Sequence, residues 1–71
     1  MILSQINKAV YNNEAKKYII TESYFKDMKE ISKEKYQELN FSLMATTVYS
    51  KIESYYLNDG WETRYTKIME D

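Results

Sequence analysis

The chain has 71 residues, 44% of them apolar, 15% aromatic and 30% charged, and ten basic against eleven acidic residues leave a formal charge of −1. It holds no histidine, cysteine or proline and one glycine, against eight tyrosines, two phenylalanines and one tryptophan. Disulfide staples are thereby excluded, and without the side chain that titrates nearest neutrality or a thiolate, neither catalysis, a metal site nor a bound cofactor is expected.

Taken in chain order, Ile2, Leu3, Ile6, Ala9 and Val10 suit a short amphipathic helix over residues 2 to about 11. The alternative is a hairpin, in which Ala9-Val10-Tyr11 and Tyr18-Ile19-Ile20-Thr21 flank Asn12-Asn13. Ile20, Tyr24, Met28 and Ile31 again have helical spacing. Thr21 is a candidate N-cap, and Glu22, Lys26 and Glu30 form an i, i+4 ladder, which predicts a helix from about Glu22 to Glu30.

The most sustained period runs through Phe41, Met44, Val48, Ile52 and Tyr55, with Leu39 and Leu43 beside it. It predicts a long central helix near 33–57, capped by Ser32, with Glu34 in its first turn and Gly60 as left-handed C-cap. Beyond it, Trp61, Tyr65, Ile68 and Met69 fall on one face of a terminal helix. Residues 55–65 read alternatively as a hairpin turning at Asp59-Gly60. The expected architecture is all-α, a small single-domain bundle of three or four helices covering residues 1–71, with a small α+β domain carrying one or two hairpins as the alternative.

A domain of about 60 residues buries only roughly 60% of the surface that its unfolded chain exposes, so an unstapled chain of this size points to self-association or a partner. Residues 1–40 carry seven basic and six acidic groups and residues 41–71 three and five, so neither half has a strong field. Arg64 is the one arginine, which disfavours direct nucleic-acid readout. Met1–Lys8 lacks a basic flank followed by an apolar run, and the longest charge-free stretch, Leu39–Ser50, is far below the ~20 apolar residues a spanning helix needs. A cytoplasmic protein is expected, in the host cytoplasm if phage-encoded, and lysine in place of arginine fits the AT-rich coding of a low-GC bacterium or its phages.

The carboxylates, such as Glu22, Asp27, Glu30, Glu34 and Glu38, are spread as a solvated face. Asn58-Asp59-Gly60 with Glu62 is only a fragment of a calcium-loop pattern. Lysines 26, 29, 33 and 35 are interleaved with acids, which cancels their field within a Debye length. The candidate partner-binding residues are Tyr55, Tyr56, Trp61 and Tyr65, because tyrosine and tryptophan offer large contact areas with little rotamer entropy to lose. The competing reading has Trp61 plugging the end of the bundle. Ser42, Ala45 and Thr46, opposite the apolar stripe, mark the uncharged Leu39–Ser50 helix as either a central helix or a homodimer seam.

Glu22-Ser23-Tyr24-Phe25-Lys26 resembles a stretch in the first helix of the sporulation-checkpoint inhibitors, small helical hairpins that bind histidine kinases. The likeness spans five residues and no family is drawn from it. The expected function is a non-enzymatic protein-binding module, a phage- or mobile-element-type inhibitor or adaptor that blocks a host enzyme or defence complex by steric occlusion. A self-assembling homodimer and a small nucleic-acid-binding regulator are the alternatives.

Overall fold

The computed structural model describes residues 1–41 and 46–70. It corrects the helical expectation: the described residues are mostly antiparallel sheet with one short helix among them, not an all-α bundle, and the α+β alternative is closer. The elements are β1 (Ile2–Asn12), β2 (Lys17–Lys26), β3 (Lys29–Ile31), α1 (Lys33–Asn40), β4 (Thr46–Leu57) and β5 (Gly60–Glu70). Their order in the sheet is β3-β2-β1-β5-β4, so β1 and β5 are central and β4 forms one edge.

Each misread segment has a physical reason. A spacing of four, as in Ile20–Tyr24 and Val48–Ile52, keeps two residues on one side of a helix and equally on one face of a strand, whose period is two. Only spacings of three discriminate, and β-propensity then decides. Thr46, Thr47, Val48, Tyr49, Ile52, Tyr55 and Tyr56 load β4 with β-branched and aromatic residues, whereas Lys33–Asn40 contains no β-branched residue. The proposed long helix therefore stops at its first third. Ser32 does cap it, accepting from the Lys35 amide at 3.1 Å, with Glu34 in the first turn. Leu43 and Met44 of the apolar stripe, with Ser42 and Ala45, lie outside the described residues.

The segments assigned to helices 2–11 and 22–30 are instead β1 and the β2–β3 hairpin, and the terminal helix is β5. Asn12 closes the first hairpin as its Oδ1 accepts from the amides of Glu14 and Ala15, both at 2.9 Å. Lys16 there takes φ 55°. The β2–β3 turn is two residues long with positive φ at both, Asp27 at 48° and Met28 at 70°, the mirror-image geometry that suits strand twist. Asp27 also clasps Ile2: its amide donates to the Ile2 carbonyl and its Oδ1 accepts from the Ile2 amide, each at 2.8 Å.

Gly60 is no helix cap. It opens β5 opposite Val10, where a Cβ would meet the Ala9 carbonyl oxygen at 1.7 Å, so glycine permits the close approach of β1 and β5. The core is small and sits at one end. Leu3, fully buried, packs with Tyr24, Met69 and the helix residue Tyr36, flanked by Met1, Ile31 and Leu39. The Lys67 Nζ donates to Asn40 Oδ1 at 2.6 Å and ties β5 to the end of α1. No helix among the described residues is long and apolar enough to cross a membrane.

Candidate functional site

Strand alternation and the pairing register assign the side chains to two faces. The face under α1 carries Leu3, Gln5, Ala9 and Tyr11 of β1, Tyr18, Ile20 and Tyr24 of β2, Trp61, Tyr65 and Met69 of β5, and Ile52 and Tyr56 of β4. The helix covers one end only. Every residue from Tyr11 to Glu22 is exposed, so the far end is bare.

An aromatic row crosses that bare end. Tyr11 and Tyr18 are direct cross-strand partners, with ring centroids 5.3 Å apart at 79°. Trp61 is opposite Ala9, whose methyl group leaves room for the indole to lean across β1 onto Tyr18, centroid to centroid 4.9 Å. Aromatic pairs at these separations in edge or tilted geometry hold each other in place. Tyr56 extends the row onto β4 opposite Trp61, and it is 94% exposed. Ile20 and Ile52, at 66% and 70%, flank the row.

Of the four sequence-derived candidates, the structure brings together Tyr56 and Trp61 and places Tyr65 on the same face. There Tyr65 lies opposite Gln5 and Ile52 and lines an open recess beside α1 with Tyr36 and Asn40. Tyr55 is separated from them on the opposite face. Its hydroxyl donates to Glu53 at 2.5 Å, and the Arg64 guanidinium stands 5.8 Å from its ring centroid. That hydrogen bond raises the Tyr55 hydroxyl above its ordinary pKa and lowers the Glu53 carboxyl. Lys51 pairs with Glu53 at 3.4 Å and Arg64 with Glu62 at 3.0 Å, so the surroundings of Tyr55 are a charge-laced surface. Trp61, 42% exposed, plugs nothing.

Tyr11, Tyr18, Ile20 and Ile52 complete the surface and were not among the candidates. The signal for Tyr11, Tyr18 and Ile20 lay in the hairpin alternative, since a turn after Asn12 sets Tyr11 against Tyr18 and Ala9 against Ile20. The lysines separate as well: Lys26 and Lys29 face each other across the β2–β3 turn, and Lys33 and Lys35 lie on α1.

Glu22-Ser23-Tyr24-Phe25-Lys26 lies in β2, not in a helix. No protein-family model matches the chain, and comparison with curated proteins and with solved structures gave no match.

Proposed function

We propose that the protein is a non-enzymatic protein-binding module that engages a partner protein through the aromatic end of its helix-bearing face and acts by steric occlusion, as a phage-type inhibitor or adaptor of a host enzyme or defence complex would. The observation that carries this reading is Tyr56, 94% exposed beside a Trp61–Tyr18–Tyr11 row whose rings pack on one another. Ordered aromatics lose little entropy on binding, and such residues dominate interface energetics.

The accessible area leaves room for such an interface. A compact chain of this mass exposes about 4,700 Å², whereas this one exposes 5549 Å². The surplus is close to the ~800 Å² that each partner of a standard interface removes from water.

The test is retention of a host protein on the immobilised chain, with Trp61→Ala, Tyr56→Ala and Tyr55→Ala as comparisons and far-UV circular dichroism to show that each is folded. One stoichiometric protein retained by the parent and by Tyr55→Ala, with affinity lowered at least about 30-fold by Trp61→Ala and Tyr56→Ala, is the expected result. A partner held equally by all four chains would refute the assignment of the face.

A further inference from the structure

We infer that two copies of this chain join edge to edge through β4, antiparallel about a two-fold axis at Ile52, into a continuous ten-stranded sheet. Among the described residues β4 pairs with β5 alone, and eleven of its twelve residues are exposed. Such an edge is a template for a further strand unless its sequence forbids one.

Hydrogen-bond phase favours this register. In a hairpin with a two-residue turn the flanking residues form a hydrogen-bonded pair, so the Leu57–Gly60 pair directs the main-chain groups of Leu57, Tyr55, Glu53 and Lys51 toward β5. Those of Ser50, Ile52 and Ser54 point outward. A two-fold at Ile52 sets Ile52 against Ile52 of the second copy and Ser50 against Ser54, giving about six inter-chain hydrogen bonds.

Charge then selects among the registers the main chain allows. Lys51 and Glu53 stand one position to either side of Ile52 and share a face, 3.4 Å apart within the chain. The two-fold places each Lys51 opposite the other copy's Glu53, and two intrachain pairs become a ring of four alternating charges. Moving the axis by one residue sets Glu53 against Glu53 or Lys51 against Lys51, which costs stability. A single charge would only have protected the edge; two of opposite sign about a central isoleucine make it self-complementary. The register irregularity between Thr47 and Tyr49 confines regular pairing to the stretch beyond it. Because the axis is perpendicular to the sheet, both aromatic rows lie on one side of the dimer.

A single cysteine reads the register directly, since the chain has none of its own. Ile52 is 70% exposed, so Ile52→Cys leaves the core untouched. It places two cysteines at the ~5.5 Å Cα separation of a hydrogen-bonded pair, within disulfide range, while Ser50→Cys places them about 14 Å apart. The expected results are a concentration-dependent dimer of the parent chain by sedimentation, and disulfide formation at least about tenfold faster for Ile52→Cys than for Ser50→Cys. Glu53→Lys should raise the dissociation constant roughly tenfold, through like charges met twice by symmetry, and Lys51→Glu with Glu53→Lys should restore it. Trp61→Ala should leave the dimer intact, because Trp61 lies on β5, inside the sheet from the β4 edge. A monomer throughout the micromolar to millimolar range, equal cross-linking of the two cysteine variants, or a dimer lost with Trp61→Ala but kept with Glu53→Lys would each overturn the inference.

Discussion

Ala9 and Gly60 are small for reasons that belong to their neighbours. Ala9, 3% exposed, sits beneath Trp61 and Ile20, and its carbonyl oxygen occupies the space that a side chain at position 60 would need. Gly60→Ala therefore has to part β1 from β5 where the Tyr11 amide donates to the Asp59 carbonyl at 2.7 Å. A cost of about 3 kcal/mol is expected, read as a fall in thermal midpoint of about 12–24 °C for a domain of this size. An unchanged midpoint would mean that the strands are not so closely joined. Tyr24 contributes to alkaline stability. Its hydroxyl donates to Glu22 at 2.5 Å, and that bond, with burial second, pushes its pKa up to about 12 from an ordinary 10. A group whose folded pKa is raised contributes stability that is complete below its unfolded pKa and is lost as pH climbs through the folded one, so the loss falls between about pH 10 and 12. Denaturant midpoints should hold steady up to pH 10 and then drop, and Tyr24→Phe should drop less steeply. Equal slopes would show that the Tyr24–Glu22 bond does not survive in solution.

The β2–β3 hairpin shows how far an element could be read from its residues. Met28, 87% exposed at φ 70°, occupies a turn position where glycine is favoured, and with Asp27 it forms a turn with none of the usual asparagine or glycine. Met28→Gly should raise stability by about 0.5–1 kcal/mol, measured in denaturant, because the strain at this residue outweighs the entropy that glycine adds to the unfolded chain. Asp27→Gly should not, since it removes the carboxylate that accepts from Ile2. With no local signal for that turn, the Glu22/Lys26/Glu30 ladder reads as a helix, although in the structure Lys26 and Glu30 belong to different strands. Ser32 and Glu34 were legible as a helix start because capping is a property of a few adjacent residues. Hairpin alternatives near both turns were legible for the same reason, although the second turns at Asn58-Asp59, one residue before the expected Asp59-Gly60. Strand identity was obscured because apolar residues sit on both faces: Tyr18, Ile19 and Ile20 follow one another, so strict alternation is lost and spacings of four mimic a helix. Tyr56 and Trp61 were legible as members of one aromatic cluster from their closeness in the chain, but their cross-strand pairing depended on the hairpin register and the loss of Tyr55 to the other face on the period of two.

The molecule is long and thin for its size. Its radius of gyration is 14.2 Å and its extents are 45 × 21 × 18 Å, against about 11 Å for a compact chain of the same length. One 8-residue helix gives the sheet a core at one end only, and Leu3, Tyr24, Tyr36 and Met69 cluster there. Stability should accordingly be graded along the strands, and β1 offers an internal control. It is paired on both sides over almost its whole length, so its amides are hydrogen-bonded at either end and differ mainly in what packs over them. In native-state hydrogen exchange, the amides of Leu3 to Ile6 should exchange only through global unfolding. Those of Ala9 to Tyr11 should exchange through local opening, at least about tenfold faster, because the rings above them are half in water. A partner seated on the Tyr56–Trp61–Tyr18 row should slow the second group and leave the first unchanged, since the core end already sets the global limit. Uniform protection along β1 in the free protein would show that the aromatic row is as stable as the core, and that the far end is a structural element in its own right instead of a surface awaiting its partner.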